Sequence, residues 1–241
     1  MHIVERIKLS LVKYLTKCMH SIHWVSWFCR VAEALRIPKI IDAIHGQRLL
    51  NMTCRFIWRI LTKVDTLSEA EIKAAKEVFG PNAIRYDAVL VAEGRLLSLL
   101  FRINGNTAFT TLHSINLPKS GPHSRNYLDN GVKKPRLYLM VHELTHVYQF
   151  ERIGSKYMFQ SLRAQRESEN EKKYCRYNYG GHPGLKEYKN NEWRFRFFNR
   201  EQQAKIAQDY YTEVIAKELG IENDVHRAYQ PFVDELRNGE L

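Results

Sequence analysis

The sequence of 241 residues predicts an α+β fold with a small, mostly antiparallel sheet. Apolar residues recur at helical spacing between residues 11 and 32. Short β-branched and apolar runs, separated by turn signals, occupy residues 86–117. Long helical patterns return after Pro135. Helices and strands that occupy separate parts of a chain favour α+β over an alternating α/β arrangement.

The first 64 residues are predicted to form a basic, amphipathic, helical segment that is separate from the remaining domain, residues 65–241. Residues 1–63 carry eleven Lys or Arg against three acidic residues, and so hold +8 of the net charge of +11. Helices are expected from Leu11 up to Pro38, then over Lys39–His45 and Gln47–Val64. The basic face of these helices is either simply solvated or contacts a partner or a membrane. Its aromatic residues have helical spacing, which disfavours nucleic-acid binding.

The start of the chain lacks the pattern of a classical signal peptide, because lysines interrupt each apolar stretch and no small-residue cleavage site follows. No apolar run approaches the roughly 18 residues that a membrane span needs. The four cysteines lie far apart without a C-x-x-C pair, which predicts free thiols. These features indicate synthesis in a reducing cytoplasm.

Residues 65–134 are predicted to contain one helix, the sheet and a surface loop. Thr66 to Glu69 has the pattern of a capping box, and the helix should run to Phe79 and end at Gly80. Lys119–Lys134 is rich in turn-forming residues and is predicted to be a loop. The expected strands are Tyr86–Ala92, Leu97–Ile103, Ala108–Leu112 and Ser114–Leu117.

Helices dominate the prediction for the rest of the chain. Gly154 and Gly220 are expected to end two of them, and a glycine-rich loop should separate the second helix from the third. The predicted helices are Arg136–Ile153, Lys156–Lys173 and about Asn199 to Leu219, with the loop at Tyr174–Lys189.

The most informative stretch is His142-Glu143-Leu144-Thr145-His146. Residues four apart share a helix face, so both imidazoles can bind one metal ion. Glu143 is the candidate catalytic base, since its carboxylate can reach a water molecule that the ion activates. The flanking residues are apolar nearly all round the helix, which predicts burial, and buried ionisable residues need a compensating partner such as a cation.

A catalytic zinc ion needs a third protein ligand from further along the chain. The extended metzincin motif is absent, because its glycine and histidine positions hold Gln149 and Arg152. Glu201 is favoured because it begins a strong helical pattern, although a carboxylate there could instead stabilise the helix dipole. The candidates are Glu201, Glu192, His182 and Asp209.

Four stretches carry a family resemblance: Val78–Gly80, Ser114–Pro118, Val141–Gln149 and Asn199–Tyr211. Together they resemble the zincin-like domains of bacterial contractile injection systems. These include the metallopeptidase domain of some type VI secretion VgrG spike proteins and related Rhs-associated domains. The resemblance covers roughly residues 65–215. It implies a gluzincin-type site in which His142, His146 and Glu201 bind one zinc ion per chain and Glu143 is the base.

The function that the resemblance implies is zinc-dependent hydrolysis of peptide bonds by a secreted bacterial toxin effector. Such a protein would act on a protein or peptide substrate inside a target cell or its periplasm. A secretion spike or an immunity protein would be its partner, and residues 1–63 could contact a membrane peripherally. Two alternatives stay open: a zinc hydrolase of cell-wall peptide, and a non-catalytic zincin scaffold whose basic arm binds a partner or a membrane.

Supporting roles are predicted for residues around the motif. Asp209 or Gln149 could orient a ligating imidazole through its second nitrogen. An oxyanion could accept a hydrogen bond from a residue in the glycine-rich loop. The candidates for that donor are Tyr177, Tyr179 and His182. Strand Ser114–Leu117 could align an extended peptide by edge addition.

Overall fold

A computed structural model describes residues 52–53, 56, 63–93, 107–154, 156–157, 159–161 and 177–241. The predictions for residues 1–51, the strand Leu97–Ile103 and most of the helix Lys156–Lys173 lie outside the described residues. Of the latter helix, residues 156–157 and 159–161 are helical. In the described part of the chain, no helix has the length and hydropathy needed to cross a membrane.

The α+β class is confirmed. The described chain contains two small sheets, and along the sequence one helix lies between the first two strands and further helices follow the last strand. A 3₁₀ turn covers Tyr86–Ala88, another covers Phe195–Phe197, and a π-helical turn, Tyr211–Ile215, follows α4 directly. The described helices are α1 (Glu69–Phe79), α2 (Leu137–Ile153), α3 (Gly181–Asn190), α4 (Arg200–Tyr210) and α5 (Asp224–Arg237). The described strands are β1 (Lys63–Asp65), β2 (Leu90–Glu93), β3 (Phe109–Thr111), β4 (Ser114–Leu117), β5 (Asn126–Asp129) and β6 (Val132–Pro135).

The larger sheet has the strand order β1-β2-β4-β3 among the described strands. β3 pairs antiparallel with β4, in agreement with the mostly antiparallel sheet that was predicted, and β1, which was not predicted as a strand, pairs antiparallel with β2. β2 and β4 are parallel, however, with Leu90 opposite Ser114. β4 is therefore an interior strand, so the prediction that Ser114–Leu117 aligns a peptide by edge addition is wrong. Within the described residues, β3 is the edge strand on this side.

The prediction of a loop over Lys119–Lys134 is wrong for the second half of this segment. That half forms the antiparallel hairpin β5–β6. Its turn is Asn130-Gly131, with φ of 49° and 80°. Both values are the positive φ that a tight two-residue hairpin turn requires, and Asn-Gly is the usual sequence there. The hairpin leads directly into Arg136 and the start of α2.

The apolar core lies where α2 packs against the sheet, α1, α4 and α5. The Tyr148 hydroxyl of α2 donates to the Leu236 carbonyl of α5 at 2.6 Å, and its ring stacks on Phe79 of α1. α5 is an additional helix that the sequence analysis did not anticipate. Core residues include Val78, Val91, Ile115, Leu117, Val141, Leu144, Ile206, Phe232 and Leu236.

The start of α1 is displaced from its prediction. The N-cap is Ser68, whose hydroxyl accepts from Glu71 N, while the Glu71 carboxylate accepts from Ser68 N at 2.7 Å. The capping box therefore begins two residues later than Thr66, and the end at Gly80 is as predicted. The predicted helix Gln47–Val64 does not reach its end, because Lys63 begins β1.

The glycine-rich segment also differs from its prediction as a loop at Tyr174–Lys189. Among its described residues, 177–180 are non-helical, and Gly180 has φ 85° at the N-cap of α3. α3 (Gly181–Asn190) covers the rest of the predicted loop from Gly181 onwards, so that part of the prediction is wrong. The predicted helix from Asn199 to Leu219 is α-helical only as far as Tyr210.

Arg125 ties β1 and α1 to the segment before β5. Its guanidinium donates to both carboxylate oxygens of Glu71 at 2.8 and 2.7 Å, to Asp65 at 3.0 Å and to the Thr66 carbonyl at 2.8 Å. The Glu71 carboxylate is buried, with 1% exposure. Removal of one partner of a buried ion pair leaves an uncompensated charge, which costs several kcal/mol.

We therefore expect Arg125→Met to lower the free energy of unfolding by about 3 kcal/mol. Urea unfolding, with the midpoint compared at an unchanged slope, measures this. The matched control is Lys134→Met, whose exposed pair with Asp129 should contribute only about 0–1 kcal/mol. Equal midpoints for the two variants would contradict the role of Arg125.

Candidate metal centre

α2 presents His142 and His146 one turn apart on the same face, as the four-residue spacing predicted. The predicted burial of this helix is confirmed, because every residue from Leu139 to Phe150 is buried. The two imidazole rings are nearly perpendicular, with centroids 5.1 Å apart. Both side chains lie in the interior with their Nε2 atoms directed to one neighbour, Glu201.

Glu201 lies in the first turn of α4, which packs against α2. The Asn199 side chain caps this helix by accepting from the backbone N–H groups of Glu201 and Gln202. Glu201 Oε2 is 3.6 Å from Nε2 of His142 and 3.6 Å from Nε2 of His146. One ligand atom from each of the three residues lies within 4.8 Å of the others, and all three are buried. These three residues, called the metal-binding group below, could hold a metal ion.

The electrostatics of the group favour a positive charge at its centre. Burial raises the pKa of the Glu201 carboxyl, but the neighbouring His146 and His142 imidazoles outweigh this and hold that pKa well below its usual range. Burial lowers the pKa of His146, but the Glu201 carboxylate more than offsets it, and the pKa reaches about 9. A carboxylate that stays ionised at 2% exposure needs a cation beside it.

Gln149 orients the second imidazole, as one of the two residues predicted for that role. Nδ1 of His146 lies 3.0 Å from Gln149 Oε1 and donates to it, so that Nε2 is the nitrogen that a neutral His146 ring offers to a metal ion. Gln149 Nε2 donates in turn to Gln203 Oε1 at 3.0 Å and to the Arg200 carbonyl at 3.1 Å. The orienting group is therefore anchored on α4.

Two contacts around the group were not anticipated from the sequence. The Ser161 hydroxyl donates to Glu201 Oε1 at 2.6 Å, so that Oε2 is the oxygen that faces the imidazoles. The Tyr157 ring stacks on His146, with centroids 6.3 Å apart. Both residues belong to the helical segment after α2. No spacing rule links this segment to Glu201 or His146.

Glu143 does not belong to the metal-binding group, as expected for a base rather than a ligand. Glu143 as a whole is 3% exposed, and its Oε2 accepts a hydrogen bond from the Thr110 hydroxyl of β3 at 2.7 Å. On α2, Glu143 directly follows the candidate ligand His142, and its carboxylate contacts the edge strand β3. A buried carboxylate in this position could exchange a proton with a water molecule on an ion that the neighbouring group would hold.

Tyr177 is the predicted oxyanion donor that the structure brings next to the site. Its half-buried ring lies 5.8 Å from the His142 ring, between centroids. Tyr179 is elsewhere: its hydroxyl donates to Asp209 at 2.7 Å and pairs with the Tyr229 hydroxyl at 2.8 Å. Asp209 therefore binds Tyr179 and Lys205 and does not orient a ligating imidazole. Gln149 is the residue that contacts the His146 imidazole.

The other third-ligand candidates lie outside the metal-binding group. His182 is half-exposed on α3, with Nδ1 3.6 Å from a Glu213 carboxylate oxygen. Glu192 is exposed in the turn after α3, with φ 56°. Of the four residues proposed for this position, the structure brings Glu201 alone to the two histidines among the described residues.

No protein-family model, curated protein or solved structure matches this chain.

The residues present fit a zinc ion in their donor chemistry and their spacing. Two imidazole nitrogens and one carboxylate oxygen are the donor set of a catalytic zinc site that keeps one open position. Ligands placed tetrahedrally about 2.1 Å from zinc stand roughly 3.4 Å from one another. The two separations of 3.6 Å between the imidazoles and Glu201 are close to this value.

Proposed function

We propose that this chain is a zinc-dependent metallopeptidase of the gluzincin type. The observation that carries the proposal is the buried group of His142, His146 and Glu201, in which each Nε2 lies 3.6 Å from the same carboxylate oxygen. Glu143 lies on the same helix as the two histidines but does not belong to the group. A three-ligand set with an adjacent carboxylate that is not a ligand is the arrangement by which a zinc ion catalyses peptide hydrolysis.

A zinc ion held by His142, His146 and Glu201 would lower the pKa of a water molecule at the site and would polarise the peptide carbonyl. Glu143 takes a proton from the water molecule as the water oxygen adds to the carbonyl carbon. Glu143 then returns a proton to the departing amine as the C–N bond breaks, so that the residue ends in its starting state. Burial of Glu143 excludes bulk water from this proton exchange.

The remaining residues hold the site in position for this chemistry. Gln149 holds Nδ1 of His146 so that Nε2 is the nitrogen directed to the ion, and Ser161 turns Glu201 Oε2 towards the imidazoles. Tyr177, beside His142, is our candidate for the group that donates a hydrogen bond to the oxyanion. These positions come from three separate segments, so the site depends on the packed fold.

On the sequence resemblance to injection-system domains, we further propose that the peptidase is a secreted bacterial effector with a protein or peptide substrate. A secretion spike or an immunity protein is the proposed partner. Residues 1–63 supply the excess of positive charge that would favour peripheral contact with an anionic membrane. Cell-wall peptide is an alternative substrate of the same hydrolytic site.

The purified protein is expected to hold about one zinc ion per chain and to cleave fluorescein-labelled casein. His142→Ala should lose both, because one of three ligands is gone. His226→Ala is the matched control, since His226 binds the Leu219 carbonyl and Gln230 away from the site. Elemental analysis and casein fluorescence measure the two properties. Equal zinc in wild type and His142→Ala would refute the site.

A further inference from the structure

Thr110 is the residue of the edge strand that contacts the proposed base. Its hydroxyl oxygen is 2.7 Å from Glu143 Oε2 and 3.4 Å from the Glu143 carbonyl oxygen. A threonine hydroxyl has one hydrogen to donate. The shorter of the two distances assigns that hydrogen to the carboxylate oxygen.

The backbone of Thr110 is held on both of its sides. β3 pairs with β4 through the register that places Thr110 opposite Ile115. On the other side, the Tyr157 hydroxyl donates to the Thr110 carbonyl at 3.1 Å and accepts from Leu112 N at 3.2 Å. Tyr157 is fully buried and stacks on His146. The hydroxyl of Thr110 is therefore presented from a rigid support that is also packed against a metal-binding histidine.

Glu143 needs such a support because its carboxylate can rotate about three side-chain bonds. α2 fixes only the backbone of Glu143, so it does not by itself determine where the two oxygens stand. Within the described residues, Thr110 is the hydrogen-bond donor to this carboxylate. Proton transfer requires the acceptor oxygen within hydrogen-bond reach, and small misplacements are costly to the rate.

We propose that Thr110 is a positioning residue for the base: its hydroxyl holds Glu143 Oε2 and thereby fixes the orientation of the carboxylate for proton transfer. This inference rests on the proposed peptidase function. Thr110 itself touches neither the metal-binding group nor the reacting atoms. The role predicts a loss in turnover rather than in zinc binding or substrate affinity, because the ligand atoms do not depend on the hydroxyl.

The test compares Thr110→Val, Thr110→Ser and Thr111→Val in the full-length, zinc-loaded protein. Valine keeps the shape of threonine but removes the hydroxyl, and serine restores it. We expect Thr110→Val to lower kcat on fluorescein-labelled casein roughly 10–100-fold with little change in KM and in zinc content. Thr110→Ser should recover most of kcat. Thr111→Val, its neighbour on β3, should match wild type.

Three results would overturn the proposal: unchanged kcat in Thr110→Val, a parallel loss of zinc, or a Thr110→Ser variant as slow as Thr110→Val. Crystal structures of wild type and Thr110→Val add a readout that needs no substrate. A Glu143 carboxylate that leaves its position in Thr110→Val supports the proposal, and an unmoved one refutes it. Inactive wild type would count against the peptidase function, while the two structures would still decide the role of Thr110.

Discussion

Glu143→Gln is expected to keep its fold and its zinc and to lose nearly all turnover, with kcat lower by roughly 10²–10⁴-fold. The amide has nearly the volume of the carboxylate, and its oxygen can still accept from the Thr110 hydroxyl. It cannot take a proton from water at neutral pH. Glu143 lies outside the metal-binding group, so the ligand set is unchanged. Casein fluorescence measures kcat, and elemental analysis measures the zinc.

Glu151→Gln is the matched control on the same helix. Glu151 meets His113 at 2.7 Å and Arg85 at 3.2 Å, away from the metal-binding group, so its variant should turn over at the wild-type rate. A second readout is toxicity when the protein is expressed in, or exported to, a susceptible bacterial compartment. Glu143→Gln should be harmless there. Toxicity retained by the folded, zinc-loaded variant would instead favour a non-catalytic scaffold.

The part of the site that could be predicted from the sequence is the part that lies within one helix. His142, Glu143 and His146 are joined by helical geometry alone, and the apolar flanks of the motif predicted the burial that the structure has. Gln149 is also within reach of such reasoning, because it lies three residues beyond His146 on the same face.

Residues that reach the site from other segments could not be located in this way. Ser161 meets Glu201 across 40 positions of the chain, and Thr110 meets Glu143 across 33. Such contacts depend on how the sheet and helices pack, which periodicity does not encode. Glu201 had three rivals because each carried a suitable ligand atom. The helical pattern that Glu201 begins and the family resemblance favoured Glu201, and packing of α4 against α2 brings it to the two histidines.

The fold shows the same division between local and long-range signals. Gly80 and Gly154 follow the last residues of α1 and α2 as the sequence predicted. The parallel pairing of β2 with β4 is a long-range choice that strand patterns leave undetermined. The β5–β6 hairpin was a different kind of miss, since its Asn130-Gly131 signal is local but was included in a loop rich in turn residues.

Glu201→Ala is expected to abolish stoichiometric zinc binding. Glu201 supplies the one oxygen that both imidazoles face, at 3.6 Å from each Nε2. Changes to residues that only orient a ligand cost about 10–100-fold in metal affinity, and loss of the ligand itself should cost more. Alanine also removes the negative charge that raises the pKa of His146. Two neutral imidazoles would then have to hold the ion alone.

Competition with a fluorescent chelator measures the affinity, and circular dichroism checks that the metal-free variant is folded. Glu192→Ala and His182→Ala are the matched controls, because both residues were candidates for the third ligand and both lie outside the metal-binding group. They should bind zinc as wild type does. Wild-type affinity in Glu201→Ala, or a crystal structure with a different side chain about 2.0–2.2 Å from the ion, would assign the third ligand elsewhere. Zinc lost only from Glu201→Ala would instead establish that α4 supplies the third ligand.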